Sequence, residues 1–151
     1  KHKGTSFVEI YQNCNVFNDG AFFIFTDKET KDAETLFMNH GEPLVYGPND
    51  ELGIRFNEGK AEIVNLEASG LSKDDLWVHD EKDVFKATIL SRFFDDPAVK
   101  GHLPRPFGVF YDNQRPCYED MLHEQLDRAI EAKGPGKLDA LLKGKNTWTV
   151  R

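Results

Sequence analysis

The chain has 151 residues, 39% hydrophobic and 30% charged, with a formal net charge of −7, enough for one domain with a real core or a small domain plus part of another. That acidic balance, with no Lys/Arg cluster, excludes nucleic acid and an anionic membrane surface as the main partner. The longest apolar run, Ala21-Phe22-Phe23-Ile24-Phe25, is far too short to span a bilayer, no signal peptide is visible, and two cysteines make no disulfide framework, so a cytoplasmic protein with reduced thiols is expected.

The chain opens Lys1-His2-Lys3-Gly4-Thr5 without an initiator Met and enters Ser6-Phe7-Val8-Glu9-Ile10-Tyr11. This near-continuous β-branched and aromatic run reads as a strand buried on both faces, as in a parallel sheet. The rest of the chain supplies few neighbours for such a strand, so a C-terminal piece of a larger chain is expected. Next come Gln12-Asn13-Cys14-Asn15 and Phe17-Asn18-Asp19-Gly20, a loop where an open parallel sheet gathers ligands. Thr26-Asp27-Lys28-Glu29 has the form of a capping box and predicts a helix of about three turns. Ala33, Leu36 and Phe37 would share one face of it, and Gly41-Glu42-Pro43 would stop it.

A β region follows. Leu44-Val45-Tyr46 is a short strand, and Leu52, Ile54 and Phe56 alternate with polar neighbours. Asn57-Glu58-Gly59-Lys60 turns that strand into residues 61–66 as a hairpin. Leu76-Trp77-Val78-His79 suggests another short strand. Asp83 caps a helix with Phe85, Ile89, Leu90 and Phe93 inward, ended by Asp95-Asp96-Pro97. Residues 107–111, after Pro104-Arg105-Pro106, read as extended. Pro116 opens the clearest helix, with an apolar stripe of Tyr118, Met121, Leu122, Leu126, Ala129 and Ile130. Gly134-Pro135-Gly136 breaks it before a last short helix over residues 138–142.

Cys14 is the residue with the most chemistry to offer: a metal ligand, a nucleophile or a plain loop thiol. Nucleophilic catalysis needs a base, and none of the five histidines has an obvious spacing to it. Metal binding needs further ligands, and Cys117 is the one other thiol. His79-Asp80 could be a carboxylate-oriented imidazole, but a surface turn before a helix cap is the expected reading. Gly134-Pro135-Gly136-Lys137 follows a helix rather than a strand, so it is a helix stop and not a phosphate loop. Asn18-Asp19-Gly20 is expected to be a turn rather than a cation site. Phe22, Phe23 and Phe25 are expected to pack; exposed, they would mark a subunit contact.

Four segments together resemble the β subunit of the 2-oxoacid:ferredoxin oxidoreductases: His2-Lys3-Gly4-Thr5-Ser6-Phe7-Val8-Glu9-Ile10 running into Gln12-Asn13-Cys14; Phe17-Asn18-Asp19-Gly20; Val78-His79-Asp80; and Pro104-Arg105-Pro106-Phe107-Gly108-Val109-Phe110 followed by Arg115-Pro116. The Gln-Asn-Cys form with Phe-Asn-Asp is most similar to the 2-oxoglutarate branch. The resemblance implies an enzyme that decarboxylates a 2-oxoacid on thiamine diphosphate with Mg²⁺. Electrons then pass through a 4Fe–4S cluster to ferredoxin, and acyl-CoA is formed from coenzyme A. It implies an α-subunit partner, and it makes Cys14 the fourth cluster ligand. The other three cysteines, and the Gly-Asp-Gly motif and Asn that hold Mg²⁺ and diphosphate, are expected before Lys1. Cys117 is incidental on this reading. The implied fold is α/β: residues 1–38 finish a thiamine diphosphate-binding domain, and residues 39–151 form a small α+β extension with a hairpin. No catalytic or cofactor-binding residue besides Cys14 is expected here, and the chain alone should be inactive. The rival expectation is a non-catalytic module whose hairpin and long helix dock a partner subunit.

Overall fold

The computed structural model describes residues 2–10, 12–93, 95, 98, 100–145, 148 and 150, in two units: Ile10–Asn113, and Lys1–Glu9 with Gln114–Arg151. The first contains α1 (Phe23–Thr26), α2 (Lys31–Glu34), β1 (Thr35–Met38), β2 (Val45–Tyr46), β3 (Leu52–Asn57), β4 (Lys60–Asn65), α3 (Leu66–Ser69), α4 (Val84–Leu90) and β5 (Arg105–Gly108). β1 and β5 pair in parallel, and β2, β3 and β4 form an antiparallel sheet in that order. The unit is thus mixed α/β, with a parallel pair and a hairpin sheet.

The hairpin forms where its sequence pattern puts it, in register from Leu52↔Asn65 to Asn57↔Lys60. Glu58 and Gly59 have φ of 48° and 83°, the positive pair of a type I′ turn, whose twist matches that of the flanking strands. Gly53 lies under Leu76. A Cβ there would stand 2.5 Å from Leu76 Cδ1, so only glycine lets the Leu76 side chain cross β3.

One core joins the two sheets: Leu36 and Met38 of β1, Leu44, Tyr46, Ile54, Trp77, Leu90 and Phe93 are all buried. Burial of Tyr46 pushes its phenol up to about 12, with Glu34 and Glu51 adding to the effect. The predicted strand at residues 76–79 is reduced to a single bridge, Pro43↔Val78. It is nonetheless stitched in, because Leu44 N donates to Trp77 O at 2.9 Å and Trp77 N to Ile54 O at 2.8 Å. Asp83 caps α4 as expected, its carboxylate accepting from the Phe85 and Lys86 amides at 2.9 and 3.1 Å. Phe85 itself points outward, 79% exposed, and Ala87, Leu90 and Phe93 fill the inner face. Of the predicted stop after α4, Asp96 and Pro97 lie outside the described residues.

Two expectations need correction. The three-turn helix from Thr26 does not form. Thr26 Oγ1 donates to Phe22 O at 3.0 Å, and Asp27 Oδ1 accepts from Glu29 N at 2.9 Å, so no capping box closes. Instead α1 and α2 are single turns, and Leu36 and Phe37 belong to β1. There Thr35, Leu36 and Met38 are buried while Phe37 stacks on Phe107 at 5.7 Å. The long-range pairing with β5 overrides the local helical period. Residues 6–10 form no strand: Phe7, Val8 and Ile10 are 90%, 76% and 75% exposed, and no described segment pairs with them. Tyr11, the end of that predicted strand, lies outside the described residues.

The second unit holds α5 (Tyr118–Lys133) and α6 (Leu138–Lys143), close to their predicted bounds. Cys117 is the N-cap. Gly134, at φ 78°, takes the chain out of the helix where the Gly-Pro-Gly run was read as a stop. Lys3 reaches Asp120 at 3.1 Å, tying the start of the chain to the first turn of α5.

Candidate functional site

Cys14 sits at the mouth of a short loop that folds back on itself. Asn18 N donates to Cys14 O at 3.0 Å, and the two residues form an isolated antiparallel bridge, with a turn over residues 15–17. Asn13 organises the loop. Its amide nitrogen donates to Asp19 Oδ1 at 2.8 Å and Asn15 Oδ1 at 3.1 Å, and its oxygen accepts from Gly20 N at 2.9 Å. Gly20, at φ 76°, supplies the left-handed residue that brings its amide under Asn13.

This geometry acts on the sulfur. The backbone N–H of Phe17, then that of Val16, then that of Asn18 hold the Cys14 thiol below the ordinary cysteine range, against a raising effect of burial. Amide dipoles aimed at sulfur stabilise a thiolate whether it is free or bound to a metal. The thiol is partly exposed, and Val16 and Phe17 beside it are 80% and 91% exposed. The loop can therefore present a soft anionic ligand outward, on a backbone frame fixed by its own side chains.

The other candidates fall elsewhere. Asp19 spends a carboxylate oxygen on Asn13, and the loop is a turn, as expected. Among the described residues no group of three or more His, Cys, Asp or Glu could hold a metal ion. Cys117, a free thiol, donates to Glu119 Oε2 at 2.5 Å and draws that carboxyl below its usual range. Of the phenylalanines, Phe23 is 60% exposed, and the Arg105 guanidinium lies over the Phe25 ring at 5.2 Å.

The surface-turn reading of His79-Asp80 is wrong for the histidine. His79 is 1% exposed, and its orienting partner is the Val109 carbonyl at 2.8 Å, not Asp80. Asp80 instead stands 3.8 Å from His40 and accepts from Lys82 N at 2.9 Å. Asn13 was missed as the organiser of the Cys14 loop. The signal available was the run of Asn residues around a lone thiol, since Asn side chains readily bond nearby backbone.

The comparison with known proteins bears out the resemblance seen in the motifs. Over 99% of its length the chain is 34% identical to 2-oxoglutarate oxidoreductase subunit KorB of Mycobacterium tuberculosis. It spans 39% of the length of that relative. No family model matches the chain, and no solved structure does so significantly. Among the described residues no helix is long and apolar enough to cross a membrane.

Proposed function

We propose that the chain forms the C-terminal part of the β subunit of a cytoplasmic 2-oxoacid:ferredoxin oxidoreductase, working with an α subunit in the coenzyme A-dependent oxidative decarboxylation of 2-oxoglutarate. The similarity to KorB along nearly the whole chain supports the enzyme class. The observation that carries the site is the free, partly exposed Cys14 thiol on a loop braced by Asn13 through Asp19 and Gly20.

In the complete subunit a 4Fe–4S cluster supplies one-electron transfer toward ferredoxin, and thiamine diphosphate with Mg²⁺ supplies the decarboxylating chemistry. Cys14 fits one corner of the cluster. A thiolate suits iron, and amides donating to sulfur lower its charge density and raise the potential of the centre it ligates. Asn13, through Asp19 and Gly20, holds the turn so that these amides keep their aim. For Mg²⁺ and diphosphate the residues here do not fit. Asp19 gives one carboxylate oxygen to its own loop, and among the described residues no group of three or more His, Cys, Asp or Glu gathers that could hold a metal ion; on this reading the rest of the subunit supplies those ligands.

The test is Cys14→Ser in the complete subunit. Serine is nearly isosteric but a harder ligand, so the cluster's paramagnetic resonance signal and ferredoxin reduction should be degraded or lost, while Cys117→Ser keeps both. An unchanged spectrum and unchanged ferredoxin reduction in Cys14→Ser would remove Cys14 from the cluster.

A further inference from the structure

The apolar stripe along α5 is exposed. Tyr118, Leu122, Leu126 and Ile130 are 69%, 37%, 48% and 49% exposed, on a 16-residue helix about 24 Å long. We propose that a second copy of this chain covers it, its α5 packing antiparallel on the first with the two-fold axis passing beside Leu126.

The pattern of the helix is complementary to itself in that one arrangement. Leu122 and Ile130 lie equally far before and after Leu126, and so do Glu119 and Lys133. A two-fold axis at Leu126 exchanges each residue with the one equidistant on the other side. Leu122 then meets Ile130 of the second copy, Leu126 meets its own counterpart, and Glu119 meets Lys133 at both ends. Positions 119, 126 and 133 are a heptad apart and drift only about 20° per step around the helix, so the two charges flank the same stripe as the leucine. A parallel pair would instead set Glu119 against Glu119 and Lys133 against Lys133. The remaining acids stay clear of the seam: helical spacing puts Asp120, Glu124, Asp127 and Glu131 on the other side, where Asp120 pairs with Lys3 and Glu124 with Arg128.

It is this fit of stripe and charge to themselves that points to a copy rather than to an unlike polypeptide. Two single helices bury a small area, below about 1,000 Å², which makes a weak, concentration-dependent dimer. The inference uses no cofactor and stands apart from the proposed chemistry.

Sedimentation equilibrium of the full chain tests it, with far-ultraviolet circular dichroism to confirm that each variant keeps its helix. The wild type should show a reversible monomer–dimer equilibrium. Leu126→Glu should weaken it by about tenfold or more, since it buries two like charges face to face. Glu119→Lys and Lys133→Glu should each weaken it, and the double variant should regain it. In a chain carrying Cys14→Ser and Cys117→Ser, Leu126→Cys should cross-link to its own counterpart on mild oxidation, and Glu124→Cys on the far side should not. A wild type monomeric at every concentration, a dimer indifferent to Leu126→Glu, or equal cross-linking of both cysteine variants would overturn the proposal. The last two outcomes would assign any dimer to another surface, and the first would leave the stripe to an unlike partner.

Discussion

His79 Nε2 lies 2.8 Å from the carbonyl oxygen of Val109, and because a carbonyl only accepts, that nitrogen carries the proton. The ring is buried, and its Nδ1 has no hydrogen-bond partner among the described residues. The backbone of His79 is fixed as well: its N–H donates to Glu42 O at 2.9 Å, and its carbonyl accepts from Gly41 N at 2.9 Å. One residue thus joins the segment before β2 to the stretch leaving β5.

His79→Ala should therefore destabilise the larger unit by about 2–4 kcal/mol, combining a lost hydrogen bond with the space left by the ring. Gln can place an amide donor near the position of Nε2 and should recover part of that loss. Urea unfolding measures both. A His79→Ala variant as stable as the wild type would mean that the bond to Val109 contributes nothing.

The amides around Cys14 favour the thiolate, so alkylation of this thiol should begin at lower pH than for an ordinary cysteine, read in a Cys117→Ser chain. Because the folded-state value is depressed, the associated stabilisation is present above the unfolded thiol's pKa and is lost as pH falls through the folded one. Asn13→Ala removes the clamp on Asp19, Asn15 and Gly20 and should move the midpoint of the alkylation profile upward, toward the ordinary cysteine range. Superimposable profiles for the two proteins would separate the loop geometry from the reactivity.

Gly53 and Leu76 make a coupled pair. Gly53→Ala drives a methyl to within 2.5 Å of Leu76 Cδ1 and should cost about 1–3 kcal/mol by overpacking. Adding Leu76→Ala opens the space, so the double variant should be more stable than the sum of the two singles predicts. Strict additivity in thermal or urea unfolding would show that β3 moves away from Leu76 without strain.

What was legible in the sequence is what is decided locally. The Glu58-Gly59 turn, the Asp83 cap, the start of α5 just after Pro116 and its end at Gly134 each depend on a few adjacent residues. What was not legible depends on distant ones. Residues 35–38 carry a helical pattern, but β5 makes them a strand. His79 looked like a turn residue, but Gly41, Glu42 and Val109, all distant from it in sequence, hold it by hydrogen bonds. Residues 6–10 show the converse: a strand-like composition gives no strand without a neighbour to receive its N–H and C=O groups. Cys14 could be singled out as a lone thiol in an Asn-rich loop. The groups acting on it are backbone amides, which no side-chain pattern spells out.

The parallel pairing of Thr35 with Arg105 also sets an order of events. The β3–β4 hairpin closes through a two-residue turn and can form within microseconds of its last residue becoming available. β1 has to wait for all of β2, β3, β4 and α4 to be made before β5 exists to receive it, and that long loop must then be closed. During synthesis Leu36 and Met38 stay without their final cover until the chain has emerged past Gly108. This interval, rather than the finished fold, is when the larger unit is most open to aggregation or to capture by a chaperone.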